Sequence, residues 1–437
     1  MELISTRNSK KTVSFRNAVL DCIPQDGGLY VPANEENLHP WIMYMDEKTS
    51  FSSIAGTLTA ALLKEEFSPV VSERIAGTAF NQYSPLLRQL DNNLYTLELF
   101  HGPTGSHKDF GIHWLASALE HILTMEGRSA MVLAATSTRT GRSMAAGFAG
   151  KKHLKVVLVY AKGTLTGIEP EYLAWNGGNI WPVEIEGTHD DAESLVRGIF
   201  TDRDIVLKYG LTLANTANIG RLLPQVFPYM YAFSRLRKKV DGDIFYAVPS
   251  GNFGNLVAGL YAWKFSLPVN GFITDATPAI SRDISGRCMV MDSIVPLDER
   301  DSADPAKPSN LERLEQVFAV NPALLGGLVF PEEIRPAAVP DLIFEAYKKY
   351  GVFFDTASAT VYGALNPMKD YINSDGGTVV LLAKDHPFFE ANRIRTACGE
   401  APKMPESVKD LHNPVPGMKC IAAESAGIRK ILAEFAG

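Results

Sequence analysis

The chain has 437 residues, of which 46% are hydrophobic and 21% charged, with a formal net charge of −7 at pH 7. At roughly 150 residues per domain this length predicts two or three domains, or one large α/β unit with an insertion, and a core that needs no staples. The acidic balance and the lack of a polybasic run argue against nucleic acid or a membrane surface as partner, though not against a local basic pocket for a small anion.

The opening, through about residue 90, reads as a helical region with short extended pieces. Met1–Phe15 holds no apolar segment of signal-peptide type, and no later run approaches the ~18 apolar residues a membrane span needs. A cytoplasmic protein is the expectation. Asp26-Gly27-Gly28-Leu29-Tyr30-Val31-Pro32 predicts a turn and then a short strand. From about residue 95 short β-branched runs alternate with helical patterns. Residues 130–135 (AMVLAA), 156–160 (VVLVY), 244–248 (IFYAV) and 379–383 (VVLLA) predict buried strands. Ile112, Leu115, Leu119, Ile122 and Leu123 share one face of a helix predicted over 110–123. Strands alternating with helices imply parallel sheets covered on both faces, an α/β fold. Gly286 to Asn310 is polar and weakly periodic, and predicts a long loop. The four cysteines, Cys22, Cys288, Cys398 and Cys420, form no C-x-x-C, and the nine histidines form no H-E-x-x-H or Cys/His cluster. Free thiols and no metal site are the expectation.

Ligands of open α/β sheets bind beyond the carboxyl ends of the strands, and three segments here follow predicted strands. Ser250-Gly251-Asn252-Phe253-Gly254-Asn255 precedes an apolar helix. Its glycines let the backbone approach an anion and the helix start supplies free N–H groups, although a small-residue βα turn has the same look. In His101–Gly111, Lys108 stands at a helix start, where the positive dipole end disfavours its charge. That suits a nucleophilic lysine, while a solvated surface lysine is the plain alternative. Thr136-Ser137-Thr138-Arg139-Thr140-Gly141-Arg142-Ser143 gathers hydroxyls and two guanidinium groups, either a carboxylate site or a capping cluster.

Together these segments resemble the threonine synthase family. His101–Gly111 matches its H-G-P-T-x-x-x-K-D-F-G pattern. Asp26–Pro32, Ile185–Thr188 with Asp190-Asp191, Asn215–Leu223, Ser250–Asn255, Pro308–Arg313 and His386-Pro387 also fit. The resemblance spans essentially the whole chain. It implies the fold of fold-type-II pyridoxal-phosphate enzymes (tryptophan synthase β-like), with an N-terminal region over 1–90, a cofactor-binding α/β domain over 91–437, and a smaller mobile subdomain over about 112–220. It implies a lyase that makes threonine from O-phosphohomoserine and water with pyridoxal 5'-phosphate, as a monomer or homodimer. Lys108 would carry the cofactor and move protons. Ser250, Gly251, Asn252, Phe253, Gly254 and Asn255 would hold the cofactor phosphate, and Lys384 would approach its ring. Thr104, Ser137, Arg139, Thr140 and Gly141 would face the substrate and ring, and Asn218 and Arg221 the substrate phosphate.

Departures cluster on the substrate side. The usual S-G-D-T-G is Ser137-Thr138-Arg139-Thr140-Gly141, and the usual T-A-H-P is Lys384-Asp385-His386-Pro387. His107 replaces the usual Phe, and Asp355-Thr356-Ala357-Ser358-Ala359 the usual D/E-P-H-x-A. Either Lys384 or Asp385 would meet the ring nitrogen, and Arg139 is expected to point inward toward a ligand anion. A divergent lyase or phospho-lyase on another amino acid, and a non-catalytic cofactor-binding paralogue, are the alternatives to threonine synthase.

Overall fold

In the computed structural model, which describes residues 1–240, 242–290, 295–374 and 376–436, strands and helices alternate in the order the sequence pattern predicts. Near the N-terminus β1 (Glu2–Ser5), β2 (Asn8–Ser14) and β3 (Tyr30–Pro32) form an antiparallel sheet in the order β2-β1-β3. Helices over Phe51–Leu62 and Pro69–Phe80 follow, each capped by a serine, Ser50 and Ser68, whose side chain accepts a backbone N–H of the first turn. Phe51, Ile54, Leu58, Ile75 and Phe80 are all buried, so this region packs into the main core.

A hairpin of β4 (Leu86–Asp91) and β5 (Leu94–Glu98) leads to the Lys108–Glu126 helix. There follow β6 (Ala130–Ala135), β7 (Leu154–Ala161), β8 (Ile180–Glu186) and β9 (Leu211–Thr212), then β10 (Ile244–Ala247) and β11 (Gly271–Asp275). A short ribbon of β12 (Ile280–Arg282) and β13 (Cys288–Val290) precedes β14 (Val329–Glu332), β15 (Thr378–Ala383) and β16 (Cys420–Ala422). The excursion expected over 286–310 thus contains β13 and a single helical turn at Leu297–Glu299, and its residues 291–294 lie outside the described residues.

Two sheets organise the rest. The six-stranded sheet runs β14-β11-β10-β15-β5-β4, parallel except for the edge strand β4. The five-stranded sheet runs β16-β8-β7-β6-β9 and is parallel throughout. Every residue of β10 and β15 is buried, which is why these strands read as continuous apolar runs without alternation. Because β5, β10 and β15 are parallel, their carboxyl ends deliver the segments after Glu98, Ala247 and Ala383 to one edge.

Arg313 ties the N-terminal sheet to that edge. Its guanidinium is fully buried and donates to the carbonyls of Tyr30 (3.0 Å) and Ala217 (2.9 Å), to Asn310 Oδ1 (2.7 Å) and to the Thr216 carbonyl. Replacement by alanine leaves these acceptors unpaired in a dry interior, so Arg313→Ala is expected to cost ~3 kcal/mol or more. A denaturation midpoint equal to the parent's would refute that role.

Candidate active site

Lys108 opens its helix and lines a cavity of about 290 Å³ at the carboxyl edge of both sheets. Residues after β5 (His107, Lys108), β6 (Thr140), β9 (Thr216), β10 (Asn252, Asn255) and β15 (Lys384) meet there. The Lys108 ammonium donates to Thr140 Oγ1 at 2.6 Å. Burial depresses its pKa first, Asp385 pushes it back up, and Arg139, Arg221 and Lys384 push it down. Desolvation is thus the leading cause, and the amine gives up its proton more readily than an exposed lysine.

The turn after β10 is built to present backbone. Gly251 and Phe253 both take left-handed conformations, with φ +49° and +63°. Ser250 does not offer its donors to a ligand: its N–H and Oγ both donate to the Asp275 carboxylate, at 2.8 and 2.7 Å. Asn252 donates to Thr216 Oγ1 (3.0 Å) and the Pro308 carbonyl (3.1 Å), and accepts the Gly254 N–H (3.2 Å). Asn310 donates to the same Thr216 hydroxyl at 2.9 Å. Among the described residues the N–H groups of Gly251 and Asn252 have no protein acceptor. Two free amides on a left-handed turn before an 11-residue helix have the geometry of an anion cradle.

Arg221 is a second donor that the fold leaves available to an anion. It is 4% exposed, its Nη1 is buried without a partner, and burial lowers its pKa to about 10. An unpaired buried guanidinium is costly unless a ligand completes it. Its own carbonyl accepts Gln225 Nε2 at 3.2 Å, and Gln225 in turn accepts from Asn255 at 3.0 Å, so it belongs to the same network as the turn. These donors fit pyridoxal phosphate plus a second anion: a buried amine, a backbone cradle and a free guanidinium around one cavity.

Other expected site residues are placed differently. Asn218 is fully buried and caps the short Ile219–Leu222 helix: it donates to the Val19 and Leu213 carbonyls, each at 2.9 Å, and accepts the Gly220 N–H. It shapes the loop that carries Arg221 and does not line the cavity. Thr104 donates through Oγ1 (2.7 Å) and N–H (3.0 Å) to Asp109, which also takes Ser143 Oγ at 2.7 Å. Thr104 therefore holds the lysine loop rather than a ligand. Ser137 is exposed and makes no side-chain capping bond. Gly141 is buried, and a Cβ there would overlap the Tyr160 hydroxyl, so close packing demands glycine. Arg139 does turn inward, but toward protein: it pairs with Asp385 at 3.3 Å and lies 4.3 Å over the Phe389 ring. Sequence reasoning missed Thr216, Gln225 and Asp275 as site members. Thr216 lies within the Asn215–Leu223 match, whereas Gln225 and Asp275 carry no local signal.

Among the described residues no helix is long and apolar enough to cross a membrane, and no His/Cys/Asp/Glu group is arranged to hold a metal. A larger hollow of about 840 Å³ lies beside the N-terminal region, but its arginines, Arg197 and Arg203, pair with Asp304 and Asp21.

A family model described as pyridoxal-phosphate dependent enzyme matches residues 71–268, and one described as threonine synthase N terminus matches residues 2–79. The threonine synthase of Haemophilus influenzae is 30% identical over 95% of both chains, and that of Escherichia coli is 29% identical over 99% of both. The crystal structure of the Escherichia coli threonine synthase is similar with a TM-score of 0.78 and 26% identity, covering 99% of this chain and 100% of the other. The PLP-bound threonine synthase from Brucella melitensis has a TM-score of 0.82 at 23% identity, over 100% and 99% of the two chains, a likeness of fold.

Proposed function

Because the chain belongs to the threonine synthase family of pyridoxal-phosphate-dependent enzymes, we infer that it converts O-phosphohomoserine and water to threonine and phosphate. The observation that carries this reading is the charge of the cavity: Lys108, Arg221 and Lys384 line it, and no carboxylate does. Such a lining favours a substrate whose phosphate is dianionic, held beside a cofactor that is itself a phosphate ester.

When bound, the cofactor supplies the electron sink that makes protons next to the amino-bearing carbon removable. The rest falls to the chain. Lys108, with its depressed pKa and Thr140 as hydrogen-bond partner, holds or releases a proton at Nζ as bonds at neighbouring carbons change. The Gly251–Asn252 amides orient the cofactor phosphate, and Arg221 holds the substrate phosphate as it leaves. Asn218 acts on the substrate only through the loop it caps. We further propose that the segment over about 112–220 is a mobile subdomain that brings Thr140 over the site, and that the enzyme works in the cytoplasm as a monomer or homodimer.

Incubation of the cofactor-loaded protein with O-phosphohomoserine is expected to release phosphate and threonine in equal amounts. Phosphate without threonine would assign a different lyase outcome. Neither product, from protein that holds the cofactor, would point to a lyase on another amino acid or to a non-catalytic paralogue.

A further inference from the structure

Two residues that depart from the family pattern meet in space. Arg139 lies on the Thr138–Phe148 helix of the five-stranded sheet, and Asp385 follows β15 of the six-stranded sheet. Their 3.3 Å contact joins the two sheets beside Lys108. The second oxygen of Asp385 accepts from Ser106 Oγ at 2.6 Å, two residues before Lys108. The backbone of the same segment is fastened as well, with His107 N–H donating to the Lys384 carbonyl at 2.7 Å and His386 N–H to the Gly105 carbonyl at 2.9 Å. One carboxylate therefore touches both the loop that bears Lys108 and the helix that bears its partner Thr140.

The charges agree with the geometry. Arg139, Arg221 and Lys384 surround Lys108 with positive charge, and Asp385 is the carboxylate that opposes them. Asp109 also lies near, but its carboxylate is taken up by hydrogen bonds from Thr104 and Ser143. His107 faces Asp385 at 3.5 Å and is neutral at pH 7, since burial lowers its pKa to about 4. Burial works against the Asp385 charge, but the polar contact of the neutral His107 and the positive charges of Arg139 and Lys108 outweigh it and hold the carboxyl below its usual range. In the family pattern the acid stands at position 139 and a neutral residue at 385. Here the acid has moved to 385, and a base at 139 pairs with it.

We propose that Asp385 is a positioning residue: it clamps the Lys108 loop to the Arg139 helix and sets a negative charge against the three cations around the Lys108 amine. This rests on the reading of Lys108 as the cofactor lysine, but it can be tested without cofactor. In the full-length apoprotein, competitive labelling of Lys108 by an amine reagent, followed across pH by mass spectrometry, reports its pKa directly. Asp385→Asn keeps the shape and removes the charge, and is expected to lower that pKa by about 1 unit or more. Arg139→Ala, at a side chain 37% exposed and therefore expected to fold, should shift it the opposite way. Arg139→Asp combined with Asp385→Asn returns the acid to the helix and should recover at least half of the shift seen in Asp385→Asn. A Lys108 pKa unchanged in Asp385→Asn, or no recovery in the double variant, overturns the proposal. If Asp385→Asn does not fold, Asp385→Ser, which also removes the charge, takes its place under the same criterion. Borohydride trapping of the loaded parent separates the two readings: a label absent from Lys108, with the labelling shifts intact, removes the cofactor assignment and leaves the clamp standing.

Discussion

Lys108→Ala is expected to lose turnover of O-phosphohomoserine by at least ~10³-fold, because the amine proposed both to anchor the cofactor and to move protons is gone. The supporting observations are its place in the cavity, its 2.6 Å bond to Thr140 and its depressed pKa. Thermal stability of the apoprotein should change little, since among the described residues that is the only side-chain hydrogen bond lost. Borohydride reduction and peptide mapping of the parent should put the pyridoxyl group on Lys108, and on no residue in the alanine variant. A label elsewhere, or turnover within tenfold of the parent, would refute the assignment.

Arg221→Ala carries the second-largest expected effect. A buried guanidinium with a free Nη1 is worth most when an anion completes it in a dry cavity. Removing one partner of such a pair costs about 2–5 kcal/mol, so kcat/KM for O-phosphohomoserine should fall by ~10²-fold or more. Arg221→Lys should recover part of the loss, because an ammonium restores the charge but not the two-pronged geometry. Both variants need a check of folding, since Arg221 also faces the buried Asp109 and Tyr83. A change below threefold in a folded Arg221→Ala protein would mean that the guanidinium serves the core and not the substrate.

The Arg139 result shows how a substitution reads differently alone and in place. In one dimension, an arginine where the family carries an acid suggests a new ligand anion. The anion it meets is Asp385, 246 positions on by residue number, which is itself a departure in another motif. Asn218 shows the reverse. It fits the family pattern at a position expected to face substrate, yet all its polar groups bond to the backbone around it. Pro308–Arg313 was legible only as a pattern, and the structure supplies its reason in Arg313 and Asn310, which brace Thr216 beneath the Asn252 turn.

The linear order of residues was sufficient for the α/β class, the strands at 130–135, 156–160, 244–248 and 379–383, and the segments that follow them. Its warrant is local: strands buried on both faces must be apolar throughout, and parallel strands must present their following loops at one edge. It was silent on pairings that depend on chain-distant partners. β2 reads NSKKTVS and is mostly exposed, so its place in a sheet comes from its neighbour β1. β16 joins β8 across more than 230 residues. Which donors stay free for a ligand was likewise decided only by tertiary structure. A hydroxyl, amide or guanidinium is available when no nearer acceptor takes it, and the acceptors that claimed Ser250, Asn218, Thr104 and Arg139 are brought to them by the fold.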